Sequence, residues 1–182
     1  MKGYEFFSLD DELWCCDNGR NIKVDVSNEG LINKLLEKIR CNYPTAYEYL
    51  TEHYKYASPN MQYYRFLIVR RFVKCNFSNL DTTDADIENK GVMHFEHVAC
   101  PLRGECECEG VVCCPKYKTS LSQREEEIGK LWYGGLSRAY IAKKLCISQD
   151  TVVSHIRNIY SKLGVHSIGE FVACVNTNNI FK

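Results

Sequence analysis

Five cysteines crowd the sixteen positions from Cys100 to Pro115, CPLRGECECEGVVCCP, and the chain holds eleven in all. Sulfur at this density bridges, binds metal or reacts. Bridges persist only in oxidising compartments. The N-terminal MKGYEFFSLDDELW, with two short apolar patches broken by acids, cannot supply the apolar core of a secretory signal. No apolar run approaches the roughly 20 residues that span a bilayer. A cytoplasmic, reducing location with no membrane partner is expected, and with it metal or redox chemistry in place of disulfides.

A structural zinc takes four thiolate or imidazole ligands in a tetrahedron and holds together loops too poor in apolar residues to fold alone. Cys100, Cys106 and Cys113 are spaced through residues that let the chain double back, with Pro101, Gly104 and Gly110 between them. Cys113 and Cys114 point to opposite sides of an extended chain, so one ion does not take both. Cys113 is the expected ligand and Cys114 the spare. Cys75 is the expected fourth ligand, because Arg70, Arg71, Lys74 and Arg103 offset the negative charge that four thiolates leave on Zn2+. His97, Cys108 and His94 are the other candidates. The expectation is a structural zinc on Cys75, Cys100, Cys106 and Cys113. The alternative is an iron–sulfur or thiol-redox role that uses the surplus thiols Cys108 and Cys114.

A chain of 182 residues accommodates two modest domains. Its 45% hydrophobic and 25% charged residues place it among soluble globular proteins rather than disordered or fibrous ones. Residues 1–30 hold two β-like pieces, Tyr4–Phe7 and Ile22–Val26, around a turn at Asp17-Asn18-Gly19. Leu31, Ile32, Leu35, Leu36 and Ile39 repeat at helical spacing, Pro44 breaks the pattern, and Thr45 to Tyr56 resumes it. Pro59 opens a third helix with Met61, Tyr64, Leu67, Ile68 and Phe72 on one face. From Cys75 to Thr119 periodicity is lost, which leaves the cysteines as the organiser. Cys15, Cys16, Cys41, Cys146 and Cys174 read as small buried residues.

The C-terminal third carries the clearest local signals. Ser122-Gln123-Arg124-Glu125 fits the capping box, and the helix it opens stops at Gly134-Gly135. Ser137 caps a second helix with Ile141, Ala142 and Leu145 on one stripe, and Ser148 caps a third. In the third, Val152, Ile156, Ile159 and Leu163 face inward and leave Thr151, Ser154, His155, Asn158 and Lys162 on the polar side. The net charge of the chain is zero, yet residues 121–182 hold eight Lys/Arg against five Asp/Glu. Lys143 is one of five cations between Ser137 and Lys162, where Asp150 is the lone acid, a balance suited to phosphates beside a groove-inserted helix.

The string from LSQRE through GGLSRAYIAKKLCISQDTVVSHIRNIYSKLGV closely resembles the LuxR-type (GerE-like) helix-turn-helix domain of bacterial transcription regulators. The resemblance implies helices over 122–133, 137–145 and 148–163, the last entering the major groove of double-stranded DNA. It also implies a fourth from about Ser167 to Val175 through which two copies pair as a homodimer. It places Thr151, Val152 and His155 near bases or phosphates, with Lys162 near the backbone; Ser148, Ser154, Asn158 and Lys143, on the same pair of helices, complete the expected DNA-binding set. Three positions depart from the family pattern: Tyr140 stands in place of an acid, Val153 of a lysine and Ile168 of an arginine. The stretch from Arg71 through Cys100-Pro101-Leu102-Arg103-Gly104 also resembles the N-terminal part of some LuxR-type regulators of Bacteroidetes, which implies nothing about an effector.

The expected architecture is mainly α: an N-terminal helical domain over 1–115 whose irregular segment 75–115 is stabilised by zinc, then the four-helix DNA-binding domain over 116–182. No catalytic signature is present, so an enzyme is not expected. Leu9-Asp10-Asp11-Glu12 resembles the acidic start of a phosphorelay receiver, but residues 31–74 read as helices where a receiver alternates strands and helices.

Overall fold

The computed structural model describes residues 3–17, 19–77, 80, 85–88, 93–178 and 180–181. The chain divides into two compact units, residues 1–118 and 119–182, against an expected boundary at 115/116.

The first unit opens with a small antiparallel sheet. Strands β1 (Gly3–Leu9), β2 (Glu12–Asp17) and β3 (Arg20–Lys23) form a meander, and β4 (Ile87–Glu88) adds to the free side of β1, giving the order β3-β2-β1-β4. The N-terminal domain, expected to be helical with two β-like pieces, thus opens with a four-stranded sheet. The β2 strand escaped notice because Leu13 and Cys15 are buried on one face while Trp14 stacks on Phe7 on the other, at 6.3 Å between rings. Apolar residues on both faces hide the period of two. The β1–β2 turn is Asp10-Asp11, both with positive φ (50° and 64°), the backbone hand that a two-residue hairpin needs. In the expected turn at 17–19, Asn18 lies outside the described residues.

Helices α1 (Glu29–Asn42), α2 (Pro44–His53) and α3 (Met61–Asn76) follow the apolar periodicity and the prolines. The Asn60 side chain caps α3 by accepting from the Tyr63 amide. Leu67, Ile68, Phe72 and Val73 are buried, but Met61, expected on the same face, is 49% exposed.

Among its described residues, the segment after α3 is irregular apart from β4 and a bridge between Ile87 and Met93. It is nonetheless anchored by apolar side chains. Phe77, Met93, Cys108 and Val112 are buried, and the Tyr43 ring meets Phe72, Phe95 and Tyr117 at 5.6, 5.2 and 5.7 Å. The buried Asn76 side chain donates to the carbonyls of Phe72 and Val112 and accepts from the Cys114 amide, at 2.9, 2.8 and 2.8 Å. The cysteines, expected to organise this stretch, are thus joined in it by spaced aromatic anchors and one satisfied amide.

The second unit is α4 (Gln123–Tyr133), α5 (Arg138–Leu145), α6 (Gln149–Leu163) and α7 (Ile168–Asn178). Ser122, Ser137 and Ser148 accept from the backbone amides of Glu125, Tyr140 and Thr151, and the Ser122–Glu125 capping box is complete. Ile128, Ile141, Val152, Ile159 and Phe171 are fully buried between the helices. Gly129 has no side chain because the Phe181 ring takes that space; a Cβ there would sit 2.6 Å from Cζ.

Cys146, expected to be buried, is exposed and ends α5 in the left-handed region at φ 54°. A residue with a Cβ is strained there. Cys146→Gly is expected to stabilise this unit by about 0.5–1 kcal/mol, read as a higher urea midpoint; a lower midpoint would show that the turn carries no strain.

Candidate nucleic-acid interface and thiol cavity

The Cys146–Ser148 turn lets α5 and α6 pack together, and the Ile147 amide donates to Ala142 to close it, at 3.0 Å. The inward stripe of α6 is Val152, Ile156 and Ile159. Val152, expected near bases, is corrected on this ground: with 0% of its surface exposed it has no contact to offer thymine methyls.

Opposite that stripe Asp150, Ser154, Arg157, Asn158 and Ser161 are exposed, with Thr151 and Lys162 at the margin. Ser148 and Thr151 share a hydroxyl–hydroxyl hydrogen bond of 2.8 Å, and the Ser154 hydroxyl donates to the Asp150 carbonyl at 2.9 Å. His155 is half-buried, and its Nδ1 finds no hydrogen-bond partner among the described residues. Arg157 and Gln149 were absent from the expected site; the three-to-four residue spacing from Asp150 through Ser154 to Arg157 was the signal that would have included Arg157.

Lys162 is held from below. Its ammonium donates to Glu125 Oε2 at 2.6 Å, and the same oxygen accepts from the Ser122 amide at 2.7 Å. Glu125 is 4% exposed, and Lys162 followed by the Ser122 amide holds its carboxyl down to about 2. This pair ties α4 to α6. Arg138 lies over the Trp132 ring, 5.4 Å from its centre. Lys143, Lys144 and Arg157 are exposed, and no ion pair among the described residues takes them. Three uncommitted cations beside a polar helix face make a surface suited to a polyanion.

In the first unit Cys75, Cys100, Cys106 and Cys113 line one cavity of about 540 Å³ together with Arg71 and Arg103. Burial pushes the Cys75 thiol up to about 12, with Cys113 beside it adding to the shift, and burial raises Cys113 as well. Arg71 Nη2 donates to the sulfurs of Cys106 and Cys108 at 3.4 and 3.5 Å. The other candidates are not among the cavity's lining residues, although the Cys108 sulfur shares Arg71 with Cys106. Cys108 is 2% exposed in the core, Cys114 is exposed with φ 50°, His97 is exposed, and His94 pairs with Glu88 at 3.0 Å.

Among the described residues, the ligand atoms that gather three together within 4.8 Å are those of Glu5, Asp86 and Glu96. Spacing along the chain offered no hint of this trio. It knits β1 to the segment beside it: Asp86 Oδ2 accepts from the Phe6 amide at 2.6 Å and Glu5 Oε2 from the Asp86 amide at 3.3 Å.

Comparison with known proteins bears on the second unit. The family model described as bacterial regulatory proteins, luxR family, matches residues 119–175. The Fimbriae Z protein of Escherichia coli strain K12 is 50% identical over 54 residues, which are 30% of this chain and 26% of that protein. The Fimbriae Z protein of Salmonella typhimurium is 42% identical over 52 residues, 29% of this chain and 25% of that protein. The chain thus spans about a quarter of the length of the curated relatives it matches. No solved structure matches it. No helix among the described residues is long and apolar enough to cross a membrane. Residues 119–175 are a LuxR-family helix-turn-helix domain.

Proposed function

We propose that this chain is a DNA-binding transcription regulator whose LuxR-family domain, residues 119–175, lays α6 in the major groove of double-stranded DNA. The observation that carries the reading is the exposed arc of α6, polar along its length and flanked by the exposed cations Lys143, Lys144 and Arg157. The cations meet phosphates, which set position and most of the affinity. Thr151, Ser154, His155 and Asn158 face base edges, and Ser148 fixes the start of the helix. Lys162, anchored on Glu125, supplies a backbone contact at the far end of the groove. Helix α7 pairs two copies, so a palindromic site is read. In this reading a structural zinc holds the first unit.

The test is a gel shift with genomic fragments across a salt series. Arg157→Ala and Lys143→Ala are each expected to weaken binding to all fragments alike and to reduce the slope of log K against log salt by about 1. Failure of the intact protein to bind any fragment at low salt would sink the reading.

A second reading has an observation of its own. The Arg71 guanidinium lies against the sulfurs of Cys106 and Cys108 and so brings two thiols to one nitrogen, an arrangement suited to a reversible thiol pair. Here the first unit is a redox- or metal-sensing module joined to the DNA-binding fold. Reversible loss of two thiols with peroxide, and a change in DNA affinity with it, distinguishes this from a purely structural role.

A further inference from the structure

We infer that α5, rather than α6, supplies the net positive charge that draws this domain to the phosphate backbone, and that Tyr140 sets its strength by keeping Lys143 and Lys144 free of a neighbouring acid. The inference rests on the DNA-binding reading above and deepens it. It does not depend on zinc.

Charge is unevenly divided between the two helices. On α6 the acid is Asp150 and the cations are Arg157 and Lys162. Lys162 is already matched from α4, since its ammonium donates to the buried Glu125 at 2.6 Å. Asp150 and Glu125 against Arg157 and Lys162 sum to zero, so the helix proposed to enter the groove brings no net charge to it. The α5 helix differs. Its residues, RAYIAKKL, hold Arg138, Lys143 and Lys144 and no acid. Arg138 lies over the Trp132 ring, which leaves its charge in place. Lys143 and Lys144 are exposed, and no ion pair among the described residues takes them.

Tyr140 holds the position that decides this. At about 100° per residue it falls between Lys143 and Lys144 around the helix, one turn nearer the N-terminus, and away from the buried Ile141 and Ala142. It is 54% exposed, so packing does not dictate what stands there. Side chains three and four apart on a helix are neighbours, and an acid that precedes a lysine at this spacing pairs with it. The chain itself shows such pairs: Glu52 holds Lys55 at 3.1 Å, and Glu127 holds Arg124 at 2.6 Å. An acid at 140 would stand three residues before one lysine and four before the other. The neutral phenol leaves both ammonium groups available to phosphates.

Phosphate contacts set affinity and carry no sequence information directly. The charge of residue 140 should therefore scale binding to all fragments alike and leave their ranking as α6 sets it.

The experiment is a gel shift of the full chain across a salt series, on the genomic fragments that it retains. Tyr140→Glu is expected to weaken binding roughly tenfold at low salt and to reduce the slope of log K against log salt by about 1. Tyr140→Gln has the shape of that variant without its charge, so any effect on folding is common to both, and it should bind as the intact chain does. Replacing Lys143 and Lys144 together by alanine should lower the slope by about 2 in the intact background, and by about 1 where Tyr140→Glu has already committed one lysine. An unchanged slope in Tyr140→Glu overturns the inference and leaves DNA binding standing. A loss in Tyr140→Gln equal to that in Tyr140→Glu also overturns it, because the phenol and not the charge would then matter. Fully additive losses do the same, since the acid would be repelling phosphate directly rather than acting through the lysines. A chain that retains no fragment at low salt overturns this inference and the DNA-binding reading together.

Discussion

Phe171→Ala is expected to cost the second unit about 3–5 kcal/mol, and DNA binding with it. Phe171 has no exposed surface, and its ring stands 5.6 Å from that of Tyr160 on α6 and 6.2 Å from that of Phe181. It is the residue through which α7 closes over α6, the helix proposed to read DNA. Truncation leaves a cavity beside the Phe181 ring, which already stands against Gly129 on α4. A unit of this size has a total margin of about 3–10 kcal/mol, so the loss consumes most of it. Urea unfolding followed by tryptophan emission, Trp132 being in this unit, measures the change. Tyr140→Ala, at a position 54% exposed, serves as the control and should move the midpoint little. A Phe171→Ala loss under about 1 kcal/mol would mean that α7 does not close the core.

Asn76→Leu is expected to destabilise the first unit by about 2–4 kcal/mol, although it replaces an amide by an apolar group of similar volume in a buried site. The isolated exchange would favour burial. What opposes it is the set of partners left behind. The Asn76 side chain makes three hydrogen bonds of 2.8–2.9 Å, two of them to the Val112 carbonyl and the Cys114 amide across the irregular segment. Leucine strands both, and a buried unsatisfied group costs about 1–3 kcal/mol. Hydrogen exchange gives the local readout: the Cys114 amide should exchange much faster in the variant while amides in β1 and β2 keep their relative order. Equal stability with an unchanged Cys114 amide would remove Asn76 from its role as the tie between α3 and the cysteines.

The seven helices named above were legible because their signals are local. Pro44, Asn60 and the three serines at 122, 137 and 148 mark where helices begin, and 3.6-residue periodicity marks what they bury. Strand β2 was not, because Trp14 and Cys16 occupy the face that alternation would have made polar. β4 was not, because two residues carry no period, and its partner Gly3 needs only to lack a Cβ where the Ile87 carbonyl comes close.

The candidate sites divide the same way. The sequence chose Cys100, Cys106 and Cys113 by spacing and Cys75 by the charge of the cations around it, and the four line one cavity. It did not show that Arg71 would be the cation at their sulfurs, that Phe95 and Tyr117 would anchor the segment on Tyr43, or that Glu125 would hold Lys162 across two helices. Those partners lie 35 to 74 residues apart.

By itself the sequence determined where helices start and stop, which faces they bury, and which third of the chain resembles a DNA-binding unit, since caps, breakers and apolar period act over a few residues of contiguous backbone. Only the tertiary structure decided that Val152 is core and Arg157 is surface, that a sheet precedes the helices, and which charge meets which sulfur. Those outcomes depend on burial and on pairings between distant segments, and neither quantity exists until the chain has folded.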